Sequence, residues 1–573
     1  MRYLALAADY DGTLATDGLV PPDTISAIER LVASGRKLIL VTGRVLPDLL
    51  ELFPQLNLCE RVVAENGALL YRPASKELQV LAPAPSAVFV DELRRRGVQD
   101  LSVGQTIIAT HLPYEQVVLE TIRDLGLELR IVFNKGAVMI LPTGVTKASG
   151  LMAALKELDL SPHNIVAIGD GENDHALLGL SEYAVAVSNA VPMLKEAADR
   201  TTRGARGAGV EEIIGDLLER DLESDRWEAP RHRILLGKRE QGGDFTLYPA
   251  RSNLLLAGTS GSGKSTLATG ILERLAQRGY QFCVIDPEGD YEAFTEAVIL
   301  GTMQRGPSVQ EILTALDNPI NNVVVNLVGL PLQERPSFFL GLVPRLQELR
   351  ARTGRPHWVL VDETHHLLPS DWNPASLVLT QKLACMIYVT VHPGQIERSV
   401  LETVDTLIAL GENPGKTISD YCSAIQEAVP TVPKEDLVPG EAVVWDRSAN
   451  ETPFKLHIAP SDMDRRRHRR KYAEGELPHD RSFYFRGPSD RLNLRAQNLI
   501  LFAQIADGVD DPTWEHHLRR GDYSQWFSEG IKDESLAEAA RRIEKRRDLS
   551  PAESRRLMRA AIENQYTLPA DGK

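Results

Sequence analysis

The sequence has little cysteine, no long apolar run and no excess of positive charge. Four cysteines, Cys59, Cys283, Cys385 and Cys422, are scattered through 573 residues without metal-ligand spacing. That argues for free thiols in a reducing, cytoplasmic setting. No run of about 18 apolar residues occurs, so neither a transmembrane helix nor a membrane partner is expected. The apolar stretch near the start of MRYLALAADYDGTL is interrupted by two aspartates and followed by no small-residue cleavage site. It reads as a buried strand and not as a signal peptide. The formal net charge of −15 argues against indiscriminate nucleic-acid binding and leaves room only for a local basic groove. Internal repeats and low-complexity tracts are also missing.

What is present is globular. With 43% hydrophobic and 25% charged residues there is ample material for cores, and the length calls for three or four domains. Up to about residue 218, strands alternate with helices, which predicts a mostly parallel α/β sheet. Strands are expected at 3–8, 37–41, 62–64 and 164–168, with an inserted α/β segment at about 75–142. A charged stretch at 219–232, apolar only at Trp227, reads as a linker. A second alternating α/β region covers 233–460. The tail, 461–573, begins with the basic cluster Arg465, Arg466, Arg467, Arg469, Arg470 and Lys471, read as a solvated linker, and continues into helical patterns at 492–506 and 535–547.

Four motifs in the first region carry chemistry. Asp9-Tyr10-Asp11-Gly12-Thr13 follows an apolar strand, and ligand sites lie beyond the carboxyl ends of parallel strands. One carboxylate there can attack phosphorus while the other protonates the leaving oxygen; a turn capped by aspartates is the competing reading. Thr42-Gly43-Arg44 offers a hydroxyl and an amide to a phosphoryl oxygen. Lys147, near a helix start expected around Thr146, can neutralise the phosphoryl group and Asp9. Gly169-Asp170-Gly171-Glu172-Asn173-Asp174 is a dense acidic loop suited to Mg²⁺, without the ligand spacing of a calcium-binding EF-hand.

Order, spacing and strand context together resemble the haloacid dehalogenase (HAD) superfamily of phosphatases. The inserted segment, Glu65-Asn66-Gly67-Ala68 and Asn189-Ala190 resemble its subfamily IIB, which carries a large α/β cap. The resemblance implies a Rossmann-like core and an aspartyl-phosphate on Asp9, with Asp11 as general acid and base. It implies Mg²⁺ held by Asp9, the Asp11 main-chain carbonyl and Asp170, with Asp174 in support, and Thr42 and Lys147 on the phosphoryl group. The implied substrate is a small phosphorylated metabolite such as a sugar phosphate.

The second region carries Gly258-Thr259-Ser260-Gly261-Ser262-Gly263-Lys264-Ser265, a P-loop between a strand and a helix. Backbone amides at Gly258, Gly261 and Gly263 wrap phosphates, Lys264 reaches the terminal ones, Ser265 coordinates Mg²⁺, and Thr266 follows in the same turn. Asp362 and Glu363 end an expected strand at 357–361; the first suits the Mg²⁺ shell, the second an attacking water. With Asp286-Pro287-Glu288-Gly289-Asp290-Tyr291 and the residues at 437–445, the region resembles the HerA/FtsK branch of P-loop ATPases. That implies ATP as ligand and a homo-oligomer meeting at nucleotide sites. The pattern departs at Thr390-Val391-His392-Pro393, where the branch has Gln-Arg-Pro, and no arginine stands near 406–410. His365, His366 and His392 are expected as polar pocket or core histidines. The segment 482–527 resembles a small helical domain of unknown function, in which His516 and His517 are expected to be structural. The leading expectation is a metabolite phosphatase with a nucleotide-sensing or assembling ATPase domain; the alternative is a DNA-acting ATPase with a phosphatase for nucleic-acid ends or nucleotides.

Overall fold

A computed structural model describes residues 2–222, 230–249, 252–292, 294–370, 384–433, 437–449, 451–461, 482–488, 492–531 and 533–566. The chain forms two compact units, Met1–Ala459 and Pro460–Lys573. The basic cluster at 465–471 and Trp227 lie outside the described residues.

The first unit holds two large sheets. In one, the buried strand Ala5–Ala8 runs parallel to Lys37–Val41 on one side and Ile165–Gly169 on the other. The sheet continues through Tyr183–Ala186 and Arg200–Thr201 on one flank, and Arg61–Ala64 on the other. Leu69–Arg72 and Glu77–Val80 then add antiparallel edges. Glu77–Val80 therefore belongs to the core sheet, and the insertion expected from residue 75 begins after it. The reason is a hairpin register that sequence alternation does not reveal. The inserted cap is a four-stranded antiparallel sheet of Ser102–Val103, Ile108–His111, Ala137–Pro142 and Leu129–Asn134. Its small core joins Phe89, Val90 and Leu93 of one helix to Val118 of the other and to strand residues Ile108 and Ile140.

The second sheet has eleven strands. Its parallel part centres on Leu254–Gly258, between Met386–Thr390 and Thr406–Leu410. Trp358–Val361 lies one strand further, followed by Phe282–Asp286. Hairpins Glu441–Asp446 with Phe454–Ile458, and Ile234–Arg239 with Asp244–Leu247, close it on the antiparallel side.

The two sheets abut at the starts of their strands. Asn164, just before Ile165–Gly169, accepts from His357 Nε2 at 3.3 Å, and His357 directly precedes Trp358–Val361. His163 stacks on Tyr280 with ring centroids 3.7 Å apart. Glu182, fully buried, takes His163 Nδ1 at 2.7 Å, the Tyr280 hydroxyl at 2.8 Å and the Arg2 guanidinium. Burial works against the Glu182 charge, yet His163, Arg2 and His232 hold its carboxyl well below the ordinary range. The end of the expected linker is part of this contact: Arg231 pairs with Asp199 and its carbonyl accepts from Arg278, while His232 is buried. Residues 223–229 lie outside the described residues.

Among its described residues, the second unit packs the hairpin Phe483–Phe485 and Leu494–Ala496 against five helices. The helix expected over 492–506 is instead this second strand followed by Leu499–Gly508. Asn498 separates them, its side chain accepting from Leu501 N at 2.8 Å as an N-cap. His517 is buried among aromatic rings, with Nδ1 2.7 Å from Asp522 and Nε2 accepting from Arg486 N.

Candidate functional site

At the carboxyl end of Ala5–Ala8, Asp9 is buried, and its amide bonds to the Ile168 carbonyl. Lys147 is the first residue of the helix Lys147–Glu157, whose N-cap Thr146 and Ser149 bond reciprocally. That start is fixed by close approach: a Cβ on Gly67 (φ +108°) would lie 1.9 Å from the Thr146 carbonyl oxygen. Lys147 Nζ thereby reaches Asp9 Oδ1 at 2.5 Å and Asp174 Oδ1 at 2.6 Å. Asp174 Oδ2 accepts from the amides of Asp170 and Gly171, both at 2.9 Å. Asn189 Nδ2 ties the Gly12 carbonyl to Asp170.

Burial, reinforced by Asp174, pushes the Asp9 carboxyl up to about 8, against the pull of Lys147. Burial also works against the Lys147 ammonium, but Asp174 and Asp9 hold it above its ordinary range. Burial raises Asp170 as well. Asp9, Asp170 and Asp174 each offer an oxygen within 4.8 Å of the others. Two lysines lodge among these carboxylates, Lys147 from the core and Lys135 from the cap, which pairs with Asp170. A pocket of oxygen donors that draws in ammonium groups is chemically suited to a hard divalent cation.

Asp11 is half-exposed and gripped by Arg44, with Nε and Nη2 each 2.6 Å from a carboxylate oxygen. Thr42 is fully buried, and its hydroxyl accepts from Arg44 N. The cap closes on this edge. A Cβ on Gly43 would meet Met139 Cε at 2.7 Å, and Glu65 accepts from the amides of Gln105, Thr106 and Ile107 at 2.7–2.9 Å. Lys135 had no signal in the sequence, because a lysine in a hairpin turn is ordinarily a solvated charge.

These motifs match a family model described as haloacid dehalogenase-like hydrolase, over residues 6–103 and 99–214. Phosphoglycolate phosphatase of Haloarcula marismortui is 32% identical over 219 residues, 36% of this chain and 95% of that protein. The chain belongs to the haloacid dehalogenase-like hydrolases. Phosphoglycolate phosphatase of Methanothermobacter thermautotrophicus is 30% identical, covering 37% of this chain and 96% of its own length. A solved haloacid dehalogenase-like hydrolase from Bacteroides thetaiotaomicron is 20% identical over 38% of this chain and 99% of its own, with a TM-score of 0.34. Residues 250–338 match the model of the helicase HerA central domain. The protein is thus a HAD-type phosphatase fused to a HerA-like domain.

In the HerA-like domain of this haloacid dehalogenase relative, Gly263 (φ +95°) caps the helix Lys264–Gln277. Gly258 and Gly261 also have positive φ, and Thr266 is exposed in the first turn. Lys264 Nζ donates to the Thr259 carbonyl at 3.0 Å, and Ser265 to Asp290 at 3.2 Å. Burial lowers Lys264, with Glu363 and Asp362 opposing, and pushes Asp362 up to about 8. The carboxylate of Asp286 accepts from the amides of Glu288, Gly289, Asp290 and Tyr291, which shapes that acidic loop. Among the described residues, no helix is long and apolar enough to cross a membrane.

Proposed function

We propose that residues 1–218 hydrolyse a small phosphomonoester carrying a second anionic group, phosphoglycolate being the first candidate, in a Mg²⁺-dependent reaction. The observation that carries this is Lys147 Nζ bridging Asp9 and Asp174 inside a buried carboxylate cluster. An Asp9 oxygen attacks phosphorus, the ester bond breaks, and the leaving oxygen takes a proton from Asp11. Asp11 then removes a proton from the water that hydrolyses the aspartyl-phosphate, restoring both carboxyls. Lys147 and Thr42 hold the phosphoryl oxygens, and the closed cap excludes bulk water. Asp9, Asp170, Asp174 and the Asp11 carbonyl would hold Mg²⁺, which supplies charge neutralisation at the transferring group.

The substrate class draws support from the cap. Lys135 delivers a cation to the reaction edge, where a substrate carboxylate would be its partner, and the relatives named phosphoglycolate phosphatase act on such a molecule. The HerA-like domain is proposed to bind and hydrolyse ATP through Lys264, Ser265, Asp362 and Glu363, supported by the P-loop geometry. The test is phosphate release from phosphoglycolate, sugar phosphates and nucleotides, with Mg²⁺ and with EDTA. Turnover of phosphoglycolate that stops in EDTA is expected. Full activity in EDTA would remove the metal, and a preference for uncharged sugar phosphates would remove the carboxylate.

A further inference from the structure

The sequence departs from the HerA/FtsK pattern at Thr390-Val391-His392-Pro393, and two further histidines, His365 and His366, follow Asp362-Glu363. The fold brings these three histidines together. His365 and His366 lie on the short helix Thr364–Leu367, with ring centroids 4.1 Å apart. His392 follows the neighbouring strand Met386–Thr390 and stands edge-on to His365, centroids 5.4 Å apart. Glu363 has a left-handed backbone (φ +40°, ψ +50°), a conformation that costs on the order of 1–3 kcal/mol in a non-glycine residue and persists where surroundings impose it.

One atom in this cluster is unsatisfied. Glu363 Oε2 is buried and accepts no hydrogen bond from any described residue. His365 Nδ1 lies 3.3 Å away but meets the Thr390 hydroxyl at 3.1 Å instead. A buried carboxylate oxygen without a partner is costly, and this one lies beside two imidazoles. Burial, with His366 and His392 adding to it, pushes His365 down to about 4. Glu363, His365 and His366 each present a donor atom within 4.8 Å of the others.

The other histidine–glutamate cluster, His163, Glu182 and His232, has the opposite character. Both His163 nitrogens are engaged, and Glu182 is held by Arg2 and Tyr280. Its His163 and Glu182 donor atoms are already taken by protein partners.

We propose that Glu363, His365 and His366 form a binding site for a divalent transition metal of the zinc type, with water in the fourth position and His392 beside it. Two imidazoles and a carboxylate are a donor set that suits Zn²⁺ and not Mg²⁺. If the ATPase reading holds, metal on Glu363 withdraws the carboxylate from an attacking water, so zinc and hydrolysis compete; the site itself does not depend on that reading.

The test uses the metal-stripped full chain without nucleotide, titrated with Co²⁺ as a visible stand-in for Zn²⁺. One equivalent with the absorption bands of a four-coordinate, imidazole-ligated site is expected. The bands persist in Asp9→Asn/Asp170→Asn and in His163→Gln, which remove the other clusters. They vanish in His366→Gln, a half-exposed position whose replacement spares the core, and in Glu363→Gln. Zn²⁺ affinity then falls at least about 100-fold, beyond the usual effect of losing an outer partner. A chain that shows no such bands, or keeps them in both His366→Gln and Glu363→Gln, overturns the proposal.

Discussion

Asp9 is placed where ionisation is disfavoured, and its replacement separates chemistry from stability. We expect Asp9→Asn to lower phosphate release by on the order of 10⁶, the scale of losing a covalent nucleophile. In EDTA it should melt no lower than wild type, because the carboxylate it removes faces Asp174 in a buried site. Phosphate-release assays and thermal melts read the two effects independently. Lys135→Met should raise KM for phosphoglycolate at least tenfold and leave p-nitrophenyl phosphate within about twofold; equal effects on both would make Lys135 a general electrostatic group. These two residues also mark how far the sequence is legible. Asp9, Asp11, Lys147, Asp170 and Asp174 stand at strand ends or a helix start, and spacing alone brings them to one edge. Lys135 arrives from the inserted cap, and its partner is 35 residues away, a pairing that only cap closure creates. The Glu363 cluster is similar: adjacent histidines read as unremarkable until His392 is found beside them.

The elements explain why the motif glycines matter. Gly67 lets one chain segment pass against the carbonyl that starts the helix carrying Lys147. Gly67→Ala adds a methyl group where backbone already sits and a positive φ that alanine resists. We expect a loss of roughly 2–4 kcal/mol, measured by urea unfolding of the first unit, together with a fall in kcat as Lys147 shifts. Unchanged kcat in a destabilised variant would show that the helix start has no say in the chemistry. The strands expected at 3–8, 37–41, 62–64, 164–168 and 357–361 were readable to within a residue or two, since buried parallel strands are short apolar runs. The exceptions have local causes. Glu77–Val80 is largely exposed and paired only on one edge, so its apolar signal is weak. The helix expected over 492–506 fails at Asn498, whose side chain starts a helix more readily than it continues one.

At the scale of the molecule, the contact between the sheets was invisible in the sequence, because His163, Glu182, Tyr280 and His357 are individually ordinary. Glu182→Gln leaves Arg2 and His163 without their buried counter-charge and should cost about 3–5 kcal/mol near neutral pH. The sign of the pH dependence follows from the lowered carboxyl. Its contribution is complete above the ordinary value of 4.5 and is lost as pH falls toward the depressed folded value. Melting curves of wild type and variant should therefore converge below about pH 4.5 and stay apart above it; a constant gap would mean that packing, not charge, holds the contact. The same contact sets a direction. Ile165–Gly169 and Trp358–Val361 begin at one seam and run outward to Asp170 and Asp362. At about 3.3 Å per residue, each acidic end lies on the order of 15–20 Å from the seam along its own strand. A signal between the two sites would have this seam as its shared element, since both strands that carry the acidic ends begin there.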